Sequence, residues 1–251
     1  MLFYEYCLLA LAGAAAGFIN VIAGGGSLLS VPALLFLGFE GPAANGTNRI
    51  SIVVQSLTAS IAFLKSESQN FRESVFLSLC LVPGSILGAL WGTQIHGAWF
   101  NRLLGAVMLL VLVATEIENR LTKHNRPKQP GDKLSNPSLT YIAIVAIGFY
   151  GGVIHIGIGF LIMAALMGIG KLNILQTNVH KMWMIIPASL CSLGIFYIHN
   201  QIFWLAGLTL ASGSVVGSWL SARFSISKGE QTVRTLFRLC VVVLIVKLLF
   251  F

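Results

Sequence analysis

The chain has 251 residues, of which 56% are hydrophobic and only 10% charged, and its mean hydropathy is +0.85. A water-soluble domain is nearer a quarter charged, so the polar surface cannot cover a globule in water, and the composition reads as an all-α, multi-pass membrane protein with almost no extramembrane domain. The formal net charge of +8 sits mostly in short loops, where basic residues orient helices against the inner membrane face, and no aromatic-interleaved basic surface points to nucleic acid as a partner.

In chain order, ten apolar segments can be read near 2–23, 27–39, 47–64, 75–95, 99–117, 139–156, 158–169, 174–197, 202–222 and 232–251. The first carries Glu5 and no basic leader, so it is expected to stay in the mature chain rather than act as a secretory signal. The segments at 27–39 and 158–169 are too short to cross a bilayer, which takes about 20 residues. Each follows a glycine cluster: Gly24-Gly25-Gly26 in one case, Gly151-Gly152 with Gly157 and Gly159 in the other. Glycine runs interrupt helices, and irregular backbone at membrane depth is tolerated only against protein or a water-filled cavity. A broken or re-entrant helix hairpin is therefore expected at both places.

The first half is written again in the second. Gly17-Phe18 recurs as Gly148-Phe149, Thr47-Asn48 as Thr177-Asn178, and Gly84-Ser85 with Gly88 as Gly213-Ser214 with Gly217, at an offset of 129 to 131 residues. Duplication in an apolar chain is the sequence sign of a transporter built from two related halves. The expected organisation is an N-terminal transmembrane repeat over 1–117, a basic cytoplasmic linker over 118–138 and a C-terminal transmembrane repeat over 139–251. Each repeat would hold one broken hairpin and three spanning helices. If the hairpin returns to its starting side, each half crosses an odd number of times and the repeats are inverted. With the linker inside, the loops near 65–73 and 223–234 then also fall inside and 94–101 outside, in keeping with the basic-residue bias. One long span in place of the hairpin would give parallel repeats instead. The stripes Gly84, Ser85, Gly88, Ala89 and Gly213, Ser214, Gly217, Ser218 have the small-residue spacing that lets helices approach closely in lipid.

Arg49 directly follows Thr47-Asn48, and Lys181 stands three residues after Thr177-Asn178 with His180 between. A cation in an apolar run marks a functional site by default, or else an interfacial anchor whose head reaches the headgroups. Gly46-Thr47-Asn48 has the residue types of a helix start, where hydroxyl and amide side chains cap free N–H groups. Together with the cations and the partial positive charge of a helix N-terminus, an anion site results. Gly24, Gly25, Gly26 and Ser27, with Gly157 and Gly159 in the second half, are expected to add backbone donors. The candidate substrate-binding residues are thus these six with Thr47, Asn48, Arg49, Thr177, Asn178 and Lys181. His155, inside the second break, and His180 are candidates for proton coupling. Asn20, Gln55 and Gln176 are further polar residues at membrane depth. Cys7, Cys80, Cys191 and Cys240 each lie alone in apolar runs and read as small buried hydrophobes. No paired carboxylates, metal-ligand spacing, nucleophile elbow or phosphate loop is present, so no cofactor, metal or enzymatic reaction is expected. The expected partners are lipid and a small anion, with a homo-oligomer left open.

The run Gly17-Phe18-Ile19 leading into Ala23-Gly24-Gly25-Gly26-Ser27-Leu28-Leu29-Ser30-Val31-Pro32, then Gly46-Thr47-Asn48, resembles the TauE/SafE family of sulfite-exporter-like membrane proteins. Gly148-Phe149-Tyr150-Gly151-Gly152 through Gln176-Thr177-Asn178 is similar to that family's second copy, with His155 and Ile156 interrupting the glycine run. The resemblance implies a bacterial or archaeal cytoplasmic-membrane transporter of small anions, with sulfite and organosulfonates as the associated substrates. A secondary transporter working by alternating access is the leading expectation. An anion channel and a membrane-embedded enzyme are the alternatives.

Overall fold

A computed structural model of the chain describes residues 2–64, 71–95, 97, 99, 100, 102, 105, 106 and 134–227. The fifth apolar segment of each half (99–117, apart from a few positions at its start, and 232–251) lies outside the described residues, as does most of the linker and the end of the 223–234 loop. The helices with described bounds are α1 (Phe3–Ala23), α2 (Ser27–Phe36), α3 (Gly41–Phe63), α4 (Phe71–Gly92), α5 (Pro137–Val153), α6 (Ile158–Met163) running into a π-helical turn (Ala164–Ile169), α7 (Ile174–Ile198) and α8 (Trp204–Ser227). No strand is found among the described residues.

Four of these helices are long and apolar enough to cross a membrane: Phe3–Ala23, Phe71–Gly92, Leu175–Ile198 and Trp204–Ser225. α3 is as long, at 23 residues, but more polar. Asn45, Thr47, Asn48, Arg49, Ser51, Gln55, Ser56 and Ser60 are all buried along it, so its polarity is turned into the bundle, where intramembrane polar groups belong. Phe3, Leu87, Ile142 and Leu205 are among many large apolar side chains on the outer surface, a composition that fits lipid rather than water.

Both breaks expected from the glycines are present. α1 stops where Gly24 takes φ +82 and its N–H bonds back to the carbonyl of Asn20 at 2.9 Å. By Gly26 the chain has doubled back against Ala16 and Asn20. α5 stops at Val153, and α6 begins behind Gly157 at φ +70. This positive-φ region is one that residues with a Cβ avoid. The second hairpin returns to its own start: the N–H of Ser135, just before α5, bonds to the carbonyl of Gly170, just beyond the π turn, at 3.1 Å. The hairpins meet at their breaks, where Gly24 and Gly159 lie backbone to backbone with no room for a side chain on either.

Contacts fix the helix directions. Gly13 and Gly17 of α1 lie against Leu210 and Ser214 of α8, and Gly84, Gly88 and Gly92 of α4 against Val145, Phe149 and Val153 of α5. Both pairs therefore run parallel. The absence of side chains at the stripes Gly84/Gly88 and Gly213/Gly217 lets the paired backbones touch. Ser74 and Ser85 of α4 bond His180 and Ala188 of α7, and Thr47 and Ser51 of α3 meet Gly207 and Ser214 of α8, so these pairs are parallel too. Gly46, near the start of α3, packs on Phe196 near the end of α7. Thus α1, α3 and α8 run one way and α4, α5 and α7 the other. Arg72, Lys171 and Arg223 gather at the end where α4 and α7 begin, and Arg102 follows the opposite end of α4.

Candidate functional site

Arg49 sits about two turns into α3 and is only 1% exposed, so it does not reach the headgroups. Its Nη2 donates to the carbonyl of Gly152 at 2.7 Å, its Nη1 stands 3.1 Å from Nδ1 of His155, and its guanidinium lies 5.4 Å from the centre of the Phe196 ring. No carboxylate among the described residues pairs with it. A guanidinium can only donate, so His155 accepts at Nδ1 and carries its proton on Nε2. That Nε2 is buried without a partner, as is Nε of Arg49.

One turn earlier on the same face of α3, Asn45 bridges the second break. Its Nδ2 donates to the carbonyl of Val153 at 2.9 Å and its Oδ1 accepts from the N–H of His155 at 3.4 Å. The amide thus stands in for helix bonds that the interruption removes. Sequence reading passed over Asn45. The available signal was its spacing of four from Arg49.

Lys181, about two turns into α7, is fully buried. Its Nζ donates to the carbonyls of Asn20 at 3.1 Å and Val21 at 3.0 Å and to Oδ1 of Asn178 at 2.8 Å, with Sδ of Met163 at 3.7 Å. These are the last-turn carbonyls of α1, beside the first break. Thr177 is one turn before Lys181. Its hydroxyl is buried without a partner, as are Nδ2 of Asn20 and both side-chain polar atoms of Asn48. Leaving such a group unpaired costs about 1–3 kcal/mol. Most of these orphaned atoms are hydrogen-bond donors.

Several expected residues take other local roles than the sequence pattern implies. Gly46-Thr47-Asn48 is not a helix start. α3 begins at Gly41, behind extended Glu40 and with Pro42 in its first turn, because proline fits the opening turn of a helix where its missing N–H costs nothing. Thr177-Asn178 is likewise inside α7, which Asn173 caps by accepting the N–H of Gln176 at 2.8 Å while Gln176 accepts the N–H of Asn173 at 3.2 Å. The hydroxyl of Thr47 accepts the N–H of Phe203 at 3.0 Å and so fixes the approach to α8. His180 turns to α4, with Nδ1 2.7 Å from the hydroxyl of Ser74, away from the Lys181 contacts. Gln55 is buried with its Oε1 unpartnered. Gly25 and Gly26 lie in the turn between α1 and α2, and Ser27 opens α2, buried. Cys7 is exposed on the outer face of α1 and Cys80 and Cys191 are partly buried, against the expectation of burial. In lipid, a small apolar side chain gains nothing by turning inward. Cys240 lies outside the described residues.

A family model described as "Sulfite exporter TauE/SafE" matches residues 9–248. A "Probable membrane transporter protein" of Haemophilus influenzae is 30% identical, the match covering 88% of this chain and 86% of that one. "Probable membrane transporter protein ORF9" of Sinorhizobium sp is 25% identical over 98% of this chain and 93% of its own length. "Probable membrane transporter protein YfcA" of Escherichia coli strain K12 is 23% identical over 94% and 86%. No solved structure matches the chain.

Proposed function

The chain belongs to the sulfite exporter TauE/SafE family, and on that footing we propose that it is a secondary transporter of small anions, exporting sulfur-containing ions such as sulfite or organosulfonates across a bacterial or archaeal cytoplasmic membrane. The observation that carries the reading is Arg49, a guanidinium buried in the bundle with an unpartnered Nε and no carboxylate beside it among the described residues. An unneutralised cation at membrane depth costs about 2.5–3.5 kcal/mol even on the lenient insertion scale. A transported anion supplies the missing charge. The orphaned donors of Asn20, Asn48, His155 and Thr177 supply hydrogen bonds of the kind an oxyanion accepts. Thr47 accepts the N–H of Phe203 and keeps its own O–H as a donor, and the glycines of both breaks, apart from Gly24, whose N–H is held by Asn20, contribute backbone.

The route runs between two inverted repeats, 1–117 and 139–251, whose relative rocking exposes the site to alternate sides. Opposite directions of α1 and α5, of α3 and α7, and of α4 and α8 support that arrangement, as does the meeting of the two breaks at Gly24 and Gly159. His155 is the proton-coupling candidate that touches the site, while His180 is held by Ser74.

Purified protein in proteoliposomes tests the reading. Sulfite, sulfate, short sulfonates and short carboxylates are each offered with and without an opposing gradient. Saturable, concentrative flux of at least one is expected. Flux that never saturates and never runs uphill indicates the alternative, an anion channel. Release of a stoichiometric product from one of these compounds indicates a membrane-embedded enzyme.

A further inference from the structure

α1 and α5 both end inside the bundle, and neither has a basic residue in its own last turn. The final carbonyls of a helix are short of partners and carry roughly half a negative charge; in α1 that of Asn20 takes the N–H of Gly24. Each end is met by a cation from the other half of the chain. Lys181 reaches Asn20 and Val21 at the end of α1, and Arg49 reaches Gly152 at the end of α5.

The correspondence is closer than a general likeness. Setting Gly17-Phe18 on Gly148-Phe149 sets Val21 on Gly152, so both cations address the same carbonyl of the repeated frame. The cations themselves do not correspond: Arg49 follows Asn48 directly, whereas Lys181 follows Asn178 by three. Two different positions on α3 and α7 converge on one target.

We propose that Arg49 and Lys181 are reciprocal positioning residues, each capping the broken helix of the opposite half and holding that break closed until the cation is drawn away. The inference rests on the transport reading for its consequence: an anion that engages Lys181 loosens the first-half break, and one that engages Arg49 loosens the second. Neither break then opens independently of the site between them.

Amide hydrogen exchange on the full-length protein in lipid nanodiscs tests this without any substrate, so it stands or falls separately from the transport assay. In Lys181→Met, exchange rises about tenfold at Val21 to Gly24, in the half that was not mutated, and stays unchanged at Gly151 to Ile154. In Arg49→Met the pattern reverses. Lys181→Arg and Arg49→Lys, which keep a charged donor, restore protection. A merely destabilised fold raises exchange along α8 as well, and charge-conserving variants do not rescue it selectively. Lys181→Gln and Arg49→Gln keep an uncharged amide donor and give smaller rises at the same opposite-half sites, which serves where a methionine variant does not insert. Exchange that rises only around the mutated position, rises equally at both breaks, or does not change overturns the proposal.

Discussion

Arg49 and His155 share one hydrogen bond, Nη1 to Nδ1 at 3.1 Å, in which the histidine must be the acceptor. A proton arriving on Nδ1 takes away that acceptor and sets a second positive charge beside the guanidinium. Protonation of His155 and its bond to Arg49 therefore exclude one another, which is what the proposed function needs of a proton-coupling residue beside the cation of its site.

This leads to a prediction for His155→Asn, whose side-chain oxygen accepts from Arg49 but does not titrate. Downhill anion flux in proteoliposomes is expected to fall by less than about tenfold, while its stimulation by a pH gradient disappears. Undiminished stimulation would show that the coupling proton travels elsewhere.

Asn48 has both polar side-chain atoms buried and unpartnered. Asn48→Asp adds a negative charge next to the place assigned to an anion, and flux is expected to fall by at least about tenfold. Asn48→Ala removes two unsatisfied groups and leaves the fold at least as stable, so its loss of flux appears as a raised KM with Tm maintained. A variant with unchanged KM removes Asn48 from the site.

The glycine stripes make a stability prediction with an internal control. At Gly217 an added methyl meets the backbone of Ala14 and Phe18, whereas Gly194, within α7, faces open space. Gly217→Ala is expected to lose about 1–3 kcal/mol through overpacking, and Gly194→Ala to gain up to about 1 kcal/mol in helix propensity. Thermal unfolding in one detergent compares the two. Equal Tm values would mean that α1 and α8 do not touch as described.

Orientation is open to labelling. In a background without its four cysteines, Gln94→Cys is expected to react with a membrane-impermeant maleimide added outside intact cells, and Ser135→Cys only after permeabilisation. The reverse pattern would invert the assignment of the inner face.

The breaks were legible because glycine clusters have a direct backbone consequence, and two apolar runs were too short to span. Arg49 and Lys181 were legible as candidates because charge stands out in an apolar run, but their depth was not, since an interfacial anchor has the same sequence pattern and only burial separates the two. Their partners were not, since the carbonyls of Gly152 and Val21 leave no mark on side-chain pattern. The start of α3 was misread because the apolar segment begins near 47, behind residues of the helix-capping type, whereas the helix begins at Gly41-Pro42, a polar first half that only burial within the bundle explains. Asn45 had no counterpart to draw attention to it: Leu175 stands at the matching place ahead of Thr177-Asn178. Its role depends on a break more than a hundred residues away in the chain.

The measurement that bears most directly on the central claim is anion flux through Arg49→Ala and Lys181→Ala in proteoliposomes, each checked for insertion and compared with the unaltered chain. At least a roughly tenfold loss in both is predicted, since each removes a buried cation from the proposed site. Unchanged flux in both correctly inserted variants would contradict the site, and with it the account of how this chain carries an anion.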